Sequence, residues 1–393
     1  PLQCVRADDL IYRAIGRLDR LGIRHLGVRD RFGTLVGAVT SRNLLRHRTG
    51  ATMALGDEID AAESEAELCL AWSKVPAVAR SLMEQSVPVE ATSNVISAEI
   101  CALTKRAALL GEERLAAAGK GPPPHPYAVL VLGSAGRGES LISADQDNAI
   151  VVDADPLTPE ADAWYAALGE HIADILDGVG IVYCKGGVMA KNAVWRRSAA
   201  AWRAKIEDWV GRQRPEDLLN VDIFFDAITV HGEEELGRAV WQHGYELGSR
   251  SAPFQRALEG TLAGWRPPLG LFGGFQTGSD ARVAVQPGGL SRSVTAARIL
   301  AIKHGLPAHA TAARYRAAAA ADKISASVAE SLIAAQRSIM AAILKQQLLD
   351  TDAGRRPSPK VDPKILDKAE RRALRDAVGR AGDAVQLVRE GMF

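Results

Sequence analysis

The sequence predicts a multidomain protein of α/β plus α class. A short mixed sheet with helices stands near the middle, and the C-terminal part is helical. Three observations predict this. Apolar, β-branched runs at 128–132, 149–152 and 218–230 are short enough for strands, and a glycine-rich turn and helical patterns separate them. From Glu233 onward, apolar residues recur mostly three and four apart. The chain has 393 residues, enough for two or three domains, and 47% of them are hydrophobic.

Residues 1–48 read as one βαββα unit with no clear first strand. Ala7-Asp8-Asp9 caps a helix running to Leu21, and Gly22 stops it. His25–Val28 and Leu35–Val39 are strands joined by a turn at Asp30–Gly33, and Thr40-Ser41 caps a helix carrying Asn43, Leu44 and Leu45. Residues 49–120 form a helical linker, with helices over Met53–Trp72, Val75–Glu84 and Ser93–Ala118, punctuated by Pro76 and Pro88.

The proline-rich Gly119–Pro126 delivers the chain into residues 121–235. Here strand Ala128–Leu132, a glycine turn and strand Ala149–Val152 come first. Helix Ala161–Gly178, strand Ile181–Cys184 and helix Arg197–Gly211 follow. Trp195, Trp202 and Trp209 recur every seven residues and read as a core stripe, with an aromatic platform for a base as the minority alternative. Leu218–Val230, LLNVDIFFDAITV, reads as another strand. Residues 236–393 are a helical domain, with helices Glu234–Ser249, Ser251–Trp265, Val294–His304, Ser325–Leu349 and Ile365–Arg389.

Net charge is +1, so no global field draws the chain to nucleic acid or to a membrane. No apolar run approaches the roughly 18 residues of a membrane span. The start, PLQCVRADD, has neither an apolar leader nor an initiator Met, which reads as a piece of a longer chain. Cys4, Cys69, Cys101 and Cys184 lack metal or disulfide spacing and read as reduced thiols of a cytoplasmic protein.

The chemistry gathers in Leu130–Val152, LVLGSAGRGESLISADQDNAIVV. Gly133, Ser134, Gly136 and Gly138 let the backbone turn tightly and approach a ligand, and Arg137 and Glu139 sit in that turn. Asp145 and Asp147 are one residue apart and lead into a strand, where i and i+2 share a face. Two carboxylates beside a backbone nest suit Mg²⁺ and a nucleoside triphosphate. A dinucleotide-binding turn fits less well, since GSAGRG lacks G-x-G-x-x-G spacing. A calcium loop also fits less well, since DQDN has only some of the ligand positions and strands around it. A nucleotidyltransferase of the DNA polymerase β type explains most features: Gly-Ser after a strand, an Asp-x-Asp pair, and a third acid on a neighbouring strand.

The residues also carry a more specific resemblance. HPYAVLVLGSAGRGESLISADQDNAIVV resembles the bacterial nucleotidyltransferases that carry CBS domains, and it is similar to the catalytic segment of PII uridylyltransferase. CKGGVMAKNAVWRRSAAAWRAKIEDW, LLNVDIFFDAITVHGEEEL, LFGGF and RSVTAARILAIKHGL follow the same family order. GIRHLGVRDRFGTLVGAVTSRNLL resembles a single CBS motif, with Asn43 where an acid commonly grips the ribose. Ser140 stands where the family often has Gln, and Ala284 and Gln286 stand where it usually has an acid and a lysine.

The resemblance implies a polymerase β-like mixed sheet with helices on one side, behind a partial CBS unit and before a C-terminal substrate-binding-like helical domain. It implies Mg²⁺ or Mn²⁺ held by Asp145, Asp147 and Asp226, with Asp222 as the fallback third acid four residues earlier. The triphosphate, of ATP or UTP, would lie against Gly133 and Ser134, with Arg137 either clamping a phosphate or bracing Glu139 or Asp145. Lys185, Gly186, Gly187, Lys191 and Asn192 would meet base, ribose or acceptor, or else form an ordinary surface loop. Implied partners are a protein or small-molecule acceptor, an adenine nucleotide at the CBS part and a second copy of the chain. The rival reading is a non-catalytic nucleotide sensor.

Overall fold

The computed structural model describes residues 3–7, 17–18, 21–30, 33–40, 50–270 and 273–390. Three strands come first: β1 (Cys4–Arg6), β2 (His25–Arg29) and β3 (Leu35–Thr40). β2 lies between a parallel β1 and an antiparallel β3, over a small core of Val5, Leu18 and Leu26. β1 is the first strand that the pattern did not reveal, because three residues carry no periodicity. The helix starting at Asp8-Asp9 falls mostly outside the described residues, and the helix containing Asn43 lies wholly outside them.

Four helices lead to the central sheet: α1 (Gly50–Ala61), α2 (Glu65–Ser73), α3 (Val75–Glu84) and α4 (Val89–Ala117). The sequence suggested one helix over Met53–Trp72. The structure breaks it at Ser64, whose hydroxyl accepts the Glu67 N–H at 3.3 Å and caps α2.

The sheet has the order β8 (Arg196–Ser198), β6 (Asn148–Val152), β4 (Tyr127–Val131), β9 (Ile228–Gly232). β4 runs antiparallel to both β6 and β9, and β8 runs parallel to β6. Between β4 and β6 lie α5 (Gly133–Gly136), a single turn, and β5 (Asp145–Gln146). After β6 come α6 (Pro159–Val179) and β7 (Val182–Tyr183), which pairs in parallel with β5.

Every residue of β4 and β6 is buried. Val129, Val131, Ile150 and Val152 join one core with α4 and α6. Ala128, Leu130, Ala149 and Val151 join another with Trp195, Trp202, Trp209 and Phe224. Helices therefore cover both faces of the sheet, not one. The continuous apolar runs of β4 and β6 are what burial on both faces requires.

α7 (Ala199–Arg212) begins where Ser198 Oγ accepts the Ala201 N–H. Trp202 stacks on Phe224 at 5.6 Å and donates its indole N–H to the Ile150 carbonyl. Trp195, Trp202 and Trp209 are at most 2% exposed, so they are core and offer no open face to a base.

The expected strand Leu218–Val230 is corrected. Pro215 opens a helix, α8 (Pro215–Phe224), and only Ile228–Gly232 is strand. Leu218, Val221, Phe224 and Phe225 are all buried in one cluster, and three-and-four spacing on a helix puts such residues on one side.

The C-terminal region comprises α9 (Glu234–Arg250), α10 (Ala252–Gly260), α11 (Ser291–Lys303), α12 (Thr311–Ala320), α13 (Ala326–Asp352) and α14 (Lys368–Glu390). By length and composition α13 alone among the described helices is long and apolar enough to cross a membrane. Its Leu332, Ile333, Ile339, Met340 and Ile343 are buried against neighbouring helices.

Candidate active site

The site starts where β4 ends. Leu132 N–H donates to the Asp147 carbonyl at 2.9 Å, which pins the start of the glycine turn to the acid pair. Gly133 has φ +59°, and a Cβ there would lie 2.2 Å from Asp147 Oδ2. Only glycine fits both constraints. Gly136 is equally confined, since a Cβ would lie 2.1 Å from the Asp226 carbonyl oxygen. Ser134 Oγ is 2.9 Å from Ser140 Oγ, and Ser140 N–H donates to Ser97 Oγ, so α4 braces the turn from behind.

Asp145 and Asp147 come together as their spacing suggests. The residue between them, Gln146, is buried and donates to the Ala173 and Ile181 carbonyls, both at 3.0 Å. β5 pairs Asp145 with Val182 and Gln146 with Tyr183, so the next residues along, Asp147 and Cys184, are neighbours. One carboxylate oxygen from each Asp and Cys184 Sγ lie within 4.8 Å of one another. Burial and the Asp145 carboxylate push Asp147 up to about 7, against a hydrogen bond from Cys184 and the charge of Arg137. Burial and Asp147 push the Cys184 thiol up to about 11.

The second glycine loop begins at this cluster. Lys185 follows Cys184 directly and is exposed, as is Gly186. Gly187 has φ +72°, and its carbonyl accepts from Asn192 Nδ2 at 2.7 Å. The Nζ of Lys191 lies 3.9 Å from the centre of the Tyr183 ring.

Asp226 is a correction. It lies in the turn between α8 and β9, not on a strand, and it is fully buried. Arg298 donates to it from Nε at 3.1 Å and Nη2 at 2.5 Å, Arg314 from Nη2 at 2.8 Å, and Arg137 from Nη1. Burial alone would raise this carboxyl, but Arg298, Arg137 and Arg314 hold it well below the usual carboxylate range. An acid so neutralised has no free oxygen for an ion and little basicity for a proton, and it is not among the groups placed to share an ion with Asp145 and Asp147. Asp222, the fallback, is paired with the same Arg298.

Arg137 and Glu139 are committed as well. Arg137 Nε donates to Glu139 Oε2 at 2.8 Å, so of the two readings of Arg137 the brace is the one present, with Glu139 and Asp226 as partners rather than Asp145. Glu139 also accepts the Thr311 N–H at 2.6 Å and the Thr311 hydroxyl at 3.0 Å. It thereby caps α12, whose amide end favours a carboxylate. Arg137 and Glu139 thereby join the sheet region to the C-terminal helices.

Residues 73–216 match the family described as Putative nucleotidyltransferase DUF294, and residues 253–391 match the one described as Putative nucleotidyltransferase substrate binding domain. The two matches together span well over half of the chain. The chain belongs to this nucleotidyltransferase family. None of the curated proteins matches it.

The nucleotidyltransferase match contains Gly133, Ser134, Asp145, Asp147 and Cys184, whereas Asp226 falls between the two matches. The substrate-binding match contains Arg298, Thr311 and Arg314, so the buried charge cluster joins the two units. Arg298 is 3% exposed and Arg314 0%. Arg314, which shares one carboxylate with two other guanidiniums, is lowered by burial, while Arg298, with Asp222 as a further partner, is raised.

Sequence reasoning missed Arg298, Thr311, Arg314 and Cys184. Arg298 left one signal: it interrupts the apolar run Ala296-Ala297-Arg298-Ile299-Leu300 on a buried helix. A divalent ion fits the Asp145, Asp147 and Cys184 donor set, since three anionic-capable groups converge where Gly133 leaves room that a Cβ would fill.

Proposed function

We propose that the chain is a divalent-metal-dependent nucleotidyltransferase that moves a nucleoside monophosphate from ATP or UTP to a protein or small-molecule acceptor in bacterial signal transduction. The observation that carries this is the Asp145–Asp147 pair packed on Gly133 at the end of β4, within the part of the chain that matches a nucleotidyltransferase model. Asp145 and Asp147 would hold Mg²⁺ or Mn²⁺, which when bound neutralises the triphosphate oxygens and supports in-line displacement. The Gly133–Gly136 turn would present early helix amides, which lack partners inside a single turn, together with Ser134 Oγ, to the phosphates. Lys185 and Gly186 would border the base or acceptor, since they follow Cys184 at the mouth of the site.

The N-terminal strands β1 to β3, with their CBS-like sequence, would sense a ligand such as an adenine nucleotide. A homodimer and a cytoplasmic setting complete the proposal. The rival reading, a non-catalytic nucleotide sensor, draws on one observation: Asp226 is neutralised by three arginines, which leaves two carboxylates where three were expected.

Incubation with α-labelled ATP, CTP, GTP and UTP, Mg²⁺ or Mn²⁺, and candidate acceptors separates the readings. Metal-dependent pyrophosphate release or label transfer supports the enzyme. Nucleotide binding with neither supports the sensor.

A further inference from the structure

Cys184 belongs to no part of the function proposed above, yet it is the third group of the metal-capable cluster. The β5–β7 pairing fixes its place: Asp145 faces Val182 and Gln146 faces Tyr183, which sets Cys184 beside Asp147. Its Sγ and one carboxylate oxygen from each of Asp145 and Asp147 lie within 4.8 Å of one another. The following loop folds back on the sulfur, since a Cβ on Gly186 would touch Sγ at 3.6 Å and Gly187 N–H donates to the Cys184 carbonyl at 3.0 Å. Two carboxylates alone suit a hard ion such as Mg²⁺ or Mn²⁺, and a thiolate added to them shifts preference towards Co²⁺ or Zn²⁺.

We propose that Cys184 is a ligand of the ion held by Asp145 and Asp147, making this an O,O,S site that prefers a thiolate-tolerant transition ion to Mg²⁺. The inference rests on the metal-dependent reading of this site. When an ion enters, the thiol proton leaves to solvent, and sulfur and carboxylates together bind the ion.

The test uses the full reduced chain as wild type, C184S and the D145N/D147N double variant. Each is titrated with Co²⁺ alone by absorbance, and with Mg²⁺, Mn²⁺ and Zn²⁺ alone by calorimetry. Wild type with Co²⁺ shows a near-ultraviolet thiolate-to-cobalt charge-transfer band. The band is lost in C184S, and it is lost in D145N/D147N, which excludes Cys4, Cys69 and Cys101 as its source. C184S loses about tenfold or more in affinity for Co²⁺ and Zn²⁺ and keeps its affinity for Mg²⁺. A wild-type Co²⁺ complex without that band, or equal Co²⁺ affinity in C184S, overturns the role of Cys184. Loss of binding in D145N/D147N would still leave the carboxylate site standing in that case. Wild type that binds none of the four ions overturns both this inference and the metal-dependent reading. The wild-type band needs no variant to fold.

Discussion

Replacing Asp226 by asparagine removes the one carboxylate that three buried guanidiniums share. Arg137 would keep Glu139 and Arg298 would keep Asp222, while Arg314 would be left with the Ala308 and Phe225 carbonyls. The asparagine keeps one acceptor oxygen but turns an N–H₂ donor towards other donors. Hydrogen bonds to charged groups contribute about 1.5–3 kcal/mol each, and breaking a buried pair from one side costs about 3–5 kcal/mol. We take the latter for D226N, because the four contacts on Asp226 are not additive. That is a large part of a typical stability of about 5–15 kcal/mol.

Urea unfolding followed by tryptophan fluorescence reads the loss directly, because Trp202 and Trp209 are fully buried. The sign with pH is fixed too. A carboxyl held below its unfolded value stabilises fully above about 4 and loses that contribution as pH falls further. Wild type should therefore lose stability below about pH 4 more steeply than D226N. A D226N variant within about 1 kcal/mol of wild type would refute the anchoring role. A variant of unchanged stability that had lost metal binding would instead restore Asp226 as a ligand.

Further outcomes follow from the acid pair and the domain contact. Asp147 is raised to about 7, so Mg²⁺ affinity, which does not draw on Cys184, should climb with pH up to about 7 and level off above it; calorimetry at pH 6, 7 and 8 checks this. An acid raised in the folded state costs stability as pH rises from about 4 through 7, so D145N/D147N should melt at or above the wild-type temperature at pH 8, by about 1–2 kcal/mol after solvent screening; a large fall would make the pair structural. Gly133→Ala forces a Cβ to within 2.2 Å of Asp147 Oδ2 at φ +59°, and should lower stability by about 1–3 kcal/mol and abolish metal binding. Thr311→Val keeps the N–H to Glu139 but loses the hydroxyl bond of 3.0 Å, and should cost about 1 kcal/mol in urea unfolding.

What was legible in the sequence was local. β4, the turn at Gly133 and the Asp145–Asp147 pair lie within about twenty residues, and strand periodicity together with glycine geometry places them. The segment LLNVDIFF was misread because a short apolar run fits a strand or a buried helix equally, and Pro215 at the helix start was the better guide. Helix α12 escaped notice because its alanine-rich sequence RYRAAAA has no amphipathic contrast. Asp226 was assigned to the metal because its true partners, Arg137, Arg298 and Arg314, are 72 to 89 residues away in sequence. Cys184 was passed over for a similar reason: two paired residues in β5 and β7 bring it to Asp147, and nothing in its neighbours' spacing announces that.

On the proposed function, the Asp145–Asp147 pair and the turn beginning at Gly133 together hold a metal–nucleotide complex. Crystals soaked with Mn²⁺ and non-hydrolysable analogues of ATP and UTP test it most directly. The expected result is an anomalous manganese peak between the Asp145 and Asp147 carboxylates, with the triphosphate against the Gly133–Gly136 turn. A nucleotide bound elsewhere, or a triphosphate on this turn with no manganese at the two aspartates, would contradict it.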